Sequence, residues 1–168
     1  MVIEWHYGLV VPKLSAGLLP FRHRGTALEV FLVHPGGPFW AHKDAGAWSV
    51  AKGEYEPGED PWDAAQREFA EEVGIPAPVG EITSLGEIKQ SSGKVISVFA
   101  VVADFEIDAV VSNTFTLEWP RRSGQLQEFP EVDAARWMEL SDARRALVGG
   151  QLGFLDRLVE QVSGQRTD

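Results

Sequence analysis

Three glutamates, Glu68, Glu71 and Glu72, are crowded into a short acidic stretch that otherwise has the pattern of a helix. On a helix, residues three and four apart share a face, so their carboxylates fall on an arc of about 100°. Like charges held that close repel, and the repulsion raises at least one pKa unless a cation sits among them. A donor set made only of oxygen selects a hard ion, Mg²⁺ or Mn²⁺ rather than zinc. Beside a phosphate, such an ion neutralises oxygens, lowers the pKa of a bound water and orients it for attack. Arg67 lies four residues before Glu71 and can brace a neighbouring carboxylate such as Glu59. The plain alternative is a solvated acidic face, which is what most charge runs are.

The elements around these residues are legible. Asp60 is a suitable N-cap, Pro61 suits the first helical position, and Gly74 is a natural stop, which predicts a helix over Asp60 to Val73. Phe69 and Val73, with Trp62 behind them, leave the acidic arc and can anchor that helix to a sheet. Leu14 to Phe21 and Ala27 to His34 read as a hairpin, broken by Pro35-Gly36-Gly37-Pro38. Trp48 to Val50 is a short strand candidate. Ile82 to Ile88 and Lys94 to Phe105 pair across Ser91-Ser92-Gly93, and Asn113 to Trp119 and Ala135 to Leu140 are further strands. Ser141 to Val148 and Gln151 to Val162 read as helices, the last with a stripe of Leu152, Leu155, Val159 and Val162. Strands, helix, strands, helices predict an α+β fold, a sandwich in a single domain spanning residues 1–168.

Composition narrows the function classes. The 168 residues suffice for one domain with a real core, and 44% are hydrophobic. No apolar run reaches the roughly 20 residues of a membrane span, and the first residues lack the basic start of a signal peptide. The chain has no cysteine, so disulfides, thiolate metal sites and cysteine nucleophiles are excluded. These features fit a cytoplasmic protein. The net charge of -10 argues against a broad surface for long nucleic acid. Small phosphorylated ligands remain compatible, because a divalent ion reverses the local field of a carboxylate cluster.

The spacing then singles out one family. Gly53, five residues, Glu59, seven residues, Arg67-Glu68-Phe69, one residue, Glu71-Glu72, one residue and Gly74-Ile75 match the signature of the Nudix hydrolases at every defined position. The resemblance implies an α/β/α sandwich around a mixed β-sheet. It also implies hydrolysis of a nucleoside diphosphate linked to another group, with Mg²⁺ or Mn²⁺ as cofactor. Carried onto this sequence, Glu68, Glu71 and Glu72 resemble the metal ligands, with the backbone near Lys52 or Gly53 adding another. Glu59 and Arg67 resemble the pair that holds the box in shape, and Gly53 and Gly74 the residues that set backbone geometry. The family's catalytic base varies. Here it is a box glutamate, Glu71 or Glu72, or an acid from a later loop, for which Glu131 in "PEVDAARWMEL" is the candidate and Glu128 a weaker one.

The substrate is less sharply marked. "AKGEYEPGED" resembles the lead-in of diadenosine tetraphosphate hydrolases, with Ala51 in place of a proline and Lys52 able to contact a polyphosphate. The stretch Gln90 to Gly93 carries neither the tyrosine of dinucleotide-polyphosphate enzymes nor the proline of ADP-ribose enzymes. Arg121 and Arg122 suit phosphate recognition, and Trp119 suits stacking on a base. His34, Phe39, Trp40, His42 and Lys43 fall near the expected entrance, whereas His6 and His23 look incidental. The leading expectation is a pyrophosphohydrolase of a small nucleotide-derived substrate, dinucleoside polyphosphates first, without membrane or long nucleic-acid partners. A non-catalytic nucleotide sensor and an RNA-end hydrolase are the rivals. The oligomeric state is open, with a homodimer among the choices.

Overall fold

The computed structural model describes residues 11–165. The expectations for the leading segment and for His6 lie outside the described residues. The element order is β1 (Leu14–Arg24), β2 (Ala27–Pro35), β3 (Ala51–Tyr55), α1 (Pro61–Val73), β4 (Ile82–Lys89), β5 (Val95–Val102), β6 (Thr114–Glu118), β7 (Leu126–Pro130), β8 (Val132–Glu139), α2 (Leu140–Ala146) and α3 (Leu152–Gly164).

Six strands form one mixed sheet in the order β4-β5-β1-β2-β8, with β3 also paired to β1. β1 runs parallel to β5 along one edge. Its other edge is divided: Leu14 to Leu18 pair with β3, and Phe21 to Arg24 pair with β2. This division opens the sheet where β3 diverges from β2, and α1 packs over that region. Ala64, Ala65, Phe69 and Val73 are the buried residues of α1. Phe69 and Val73 meet Leu18, Phe31 and Val101 of the sheet, and Ala64 and Ala65 meet Ala16. On the opposite face, Leu19, Leu32, Trp48 and Val98 pack against Phe154, Leu155 and Leu158 of α3. The result is the expected α+β arrangement, a mixed sheet between helices.

Several local expectations change. Trp48 and Ser49 make only isolated bridges, to Leu147 and Val33. The regular strand starts at Ala51, because β1 offers its free edge only from Leu18 backwards. The buried stripe of α3 is Phe154, Leu155 and Leu158, with Leu152 and Val162 only partly buried beside it. β5 ends at Val102, and β8 begins three residues earlier than its apolar pattern suggests. The strand expected near Thr114 pairs with β7, which the sequence pattern did not mark, in a two-stranded ribbon separate from the main sheet.

Candidate active site

α1 is built by the residues that its sequence placed at its ends. The Asp60 carboxylate accepts hydrogen bonds from the backbone N–H of Trp62 and Asp63, at 2.9 and 3.2 Å. Gly74 closes the helix at φ 88°, the left-handed region that glycine enters without a Cβ clash. The Arg67 guanidinium holds both Glu59 oxygens at 3.2 Å and donates to Glu68 at 2.7 Å. One cation thereby ties the loop before α1 to its acidic face.

Glu68 and Glu72 turn towards β3. The Lys52 backbone N–H donates to Glu72 Oε2 at 3.1 Å. The Glu68 carboxylate lies against Gly53 so closely that a Cβ there would coincide with it. Glycine at Gly53 therefore leaves the space that the Glu68 carboxylate occupies; any larger residue displaces that carboxylate. Glu71 has a different setting: its side chain is 40% exposed and lies 3.6 Å from the Arg67 guanidinium. The three box glutamates thus share a helix face, but only two of them enter the crevice between α1 and β3.

Burial dominates the electrostatics of that crevice. It pushes the Glu72 carboxyl up to about 8, against the pull of the Lys52 ammonium and backbone N–H, with Glu68 and Glu131 adding like charge. Burial also raises Glu68, opposed by Arg67 and reinforced by Glu71 and Glu131. The Lys52 ammonium is pushed down, again first by burial, with Glu72 opposing and Lys94 assisting. Glu131 therefore stands close enough to act electrostatically on both inner glutamates. Its backbone is fixed by two hydrogen bonds, Gly36 N–H to the Glu131 carbonyl at 2.9 Å and Glu131 N–H to the Asn113 carbonyl at 2.8 Å.

These residues fit a hard divalent ion. The donors are carboxylate and backbone oxygens, and Glu68 and Glu72 repel one another in a partly desolvated crevice where a cation would relieve the repulsion. Glu68 and Glu72 with the carbonyls near Lys52 and Gly53 would hold it, and Glu71 would have to leave Arg67 to join. Among the described residues, no three acidic or imidazole groups already stand in ligating geometry.

The remaining candidates are divided among other places. His42 lines a cleft of about 330 Å³ with His34, Asp133 and Arg136, and no box carboxylate borders it. His34 is buried rather than presented at an entrance, with its ring nitrogens 2.7 Å from Asp133 and 2.6 Å from the Lys43 carbonyl. Trp40 is 36% exposed, and its ring carries the Lys43 ammonium at 5.0 Å. Arg121 and Arg122 sit at the exposed turn between β6 and β7. Arg121 stacks on Phe39 at 4.8 Å, while Arg122 occupies a left-handed backbone conformation at φ 61°. Glu128 lies exposed on β7, opposite Thr116.

Sequence reasoning missed the strap that positions Glu131. Ser112 Oγ accepts from Val132 N–H at 3.1 Å, and Asn113 N–H reaches the Glu71 carbonyl at 3.3 Å. Neither residue type is distinctive in a loop, and no short-range spacing pairs them with Glu131.

Comparison with known proteins agrees with this geometry. The sequence matches the NUDIX domain family over residues 11–158. No curated protein sequence matches significantly. Among solved structures, the chain is similar to an Ap4A hydrolase of C. elegans solved as a binary complex, with 22% identity and a TM-score of 0.61 over 89% of this chain and 98% of that one. It is similar to the Nudix hydrolase RenU of M. smegmatis at 26% identity, with a TM-score of 0.55 over 89% and 85% of the two chains. It is also similar to the NUDIX domain of Shewanella oneidensis NrtR, complexed with ADP ribose, at 17% identity and a TM-score of 0.62 over 90% and 89%. With a family match across most of its length and the full spacing from Gly53 to Ile75 wrapped around α1, the chain belongs to the Nudix family.

Proposed function

We propose that the protein is a divalent-metal-dependent hydrolase that cleaves a pyrophosphate bond in a nucleoside diphosphate derivative, with dinucleoside polyphosphates as the first substrates to test. One observation carries this reading: from one face of α1, the Glu68 carboxylate seats against the Gly53 backbone and Glu72 accepts from the Lys52 N–H, so two acids share a partly desolvated crevice beside β3 and burial raises both. A stable fold gains nothing from crowding two carboxylates into a crevice, and perturbed acids of this kind cluster at functional sites.

In this reading a water oxygen bonds to phosphorus, the bridging P–O bond breaks, and its electron pair leaves with the departing phosphate. The water's proton passes to a carboxylate, for which Glu131 and the box residues Glu71 and Glu72 are the candidates. A bound Mg²⁺ or Mn²⁺ supplies charge neutralisation and a more acidic water. Arg67 acts by position, holding Glu59 and Glu68 in place. Lys52 presents its backbone to Glu72 and its ammonium to the same crevice. Phosphate chains are the substrate parts that this mixed field of cations suits. We assign the whole chain to one catalytic domain.

The test is a phosphate-release screen with Mg²⁺ or Mn²⁺ over diadenosine polyphosphates, ADP-ribose, nucleotide sugars and nucleoside triphosphates, run beside Glu72→Gln. Cleavage by the parent chain that falls on the order of 10²-fold or more in the variant is the expected result. Nucleotide-induced thermal stabilisation without turnover in either protein would instead favour a nucleotide-sensing module.

A further inference from the structure

Phe39 and Trp119 come from segments far apart in the chain, yet their ring centroids lie 5.5 Å apart at 79°. Phe39 remains 41% exposed. The Arg121 guanidinium lies 4.8 Å over the Phe39 ring. Arg22, Arg24, Arg67, Arg144 and Arg145 all pair with carboxylates. Among the described residues, the Arg121 side chain makes no ion pair or hydrogen bond, although the chain carries a net charge of -10. An exposed aromatic corner with an uncommitted guanidinium is suited to a flat, electron-rich ring attached to an anion.

The corner is linked physically to the carboxylate crevice. Gly36 donates its N–H to the Glu131 carbonyl. The next residue, Gly37, lies against the Phe115 ring of β6, so tightly that a Cβ there would stand 2.8 Å from Phe115 Cζ. Phe115 in turn pairs with Phe129 of β7. The ribbon therefore has its base beside Glu131 and its tip, with Trp119 and Arg121, beside Phe39. Trp119 is steadied by its N–H to the Gln125 carbonyl at 2.9 Å and by Gln127 Nε2 donating to the Trp119 carbonyl at 2.9 Å.

We propose that Phe39, Trp119 and Arg121 form a receptor for the nucleobase end of the substrate. This rests on the hydrolase reading of the carboxylate crevice for its catalytic consequence, but not for binding itself. The ring of Trp119 or the free face of Phe39 takes the base, and the guanidinium takes an acceptor on the base or the first phosphate.

The test is calorimetric binding of AMP and of ribose 5-phosphate to the 168-residue chain in EDTA, which removes the metal site from the measurement. AMP is expected to bind about ten-fold to a hundred-fold tighter than ribose 5-phosphate. That ratio should fall to near one in the double variant Phe39→Ala/Trp119→Ala. Phe39→Leu, which keeps apolar volume but removes the aromatic face, serves if the double variant misfolds, and should lower the ratio several-fold. Arg121→Gln should weaken AMP and ribose 5-phosphate binding together if it takes phosphate, or AMP alone if it takes the base. A ratio near one in the parent chain, or an unchanged ratio in the aromatic variants, overturns the receptor. If the ratio behaves as expected while no nucleotide is hydrolysed with Mg²⁺ or Mn²⁺, the receptor stands and the hydrolase reading fails. If hydrolysis is found but the ratio ignores both rings, only the receptor fails.

Discussion

The helix α1 and the β6–β7 ribbon both border Glu131, yet they are held in place by opposite means. The ends of α1 are set close by in the chain, by the Asp60 cap and the Gly74 stop, and the Arg67 bridge to Glu59 ties it to the preceding loop. The ribbon is closed locally at its tip, by Trp119 with Gln125 and Gln127, but is placed by distant contacts. Its base is fixed by Ser112 and Asn113 bonding to Val132 and Glu131, and its tip by Trp119 and Arg121 meeting Phe39. The first region carries ionisable groups buried enough to shift their protonation; the second brings the part-buried ring of Trp119 beside the exposed ring of Phe39. A short-range framework suits chemistry that tolerates little displacement of a carboxylate. A ribbon bound through scattered contacts suits recognition, where different ligands require different surfaces.

The comparison can be broken by variants of graded effect. The largest expected effect is on turnover: Glu72→Gln should lower kcat on the order of 10²- to 10⁴-fold while leaving the far-ultraviolet circular dichroism unchanged. It should also remove any rise in melting temperature caused by Mn²⁺. A Mn²⁺ shift equal to that of the parent chain would sink the assignment of Glu72 to the ion.

Next come the two faces of the sheet. Phe69 and Phe154 are both fully buried, one beneath α1 and one within α3. Either change to alanine should cost about 3–5 kcal/mol in urea unfolding. Only Phe69→Ala should also lower the activity of the molecules that remain folded, because Phe69 seats the helix that carries Glu68 and Glu72. Equal specific activity in the two folded variants would show that the box does not depend on its own side of the core.

Gly53→Ala tests the close approach of β3 and Glu68. The added methyl group must displace the carboxylate, at a cost of about 1–3 kcal/mol, and turnover should fall with it. Wild-type kinetics in that variant would mean that Glu68 can be displaced without consequence. Asp60→Ala removes two cap hydrogen bonds and should cost about 1 kcal/mol, read as a lower urea midpoint with an unchanged slope. Arg121→Gln, at the ribbon tip, should stay within about 0.5 kcal/mol of the parent in stability. A larger loss there would mean that the stacked guanidinium is a structural brace and not a free recognition group.

The same division governs what could be read ahead of the fold. The order of helices and strands, the ends of α1 and the pairing of Glu59 with Arg67 follow from spacings of a few residues, where helix periodicity and capping act directly. The missed elements depend on distant partners. β3 begins at Ala51 because β1 has an open edge there. β7 is a strand because β6 lies opposite it. His34 has the composition of an entrance residue, but Asp133 and the Lys43 carbonyl bind both its nitrogens and bury it.

For the site, the amino-acid sequence by itself determined the family and placed Glu68, Glu71 and Glu72 on one helix face, because residue type and helical spacing are enough to state them. Only the tertiary structure decided that Glu68 and Glu72 turn inward against Gly53 and Lys52 while Glu71 stays half-exposed, that the backbone of Glu131 is tied to Gly36 and Asn113, and that Phe39 meets Trp119 and Arg121. The physical reason is range. Capping and helix periodicity act within one or two turns, whereas burial and charge proximity depend on which distant segments the sheet brings together.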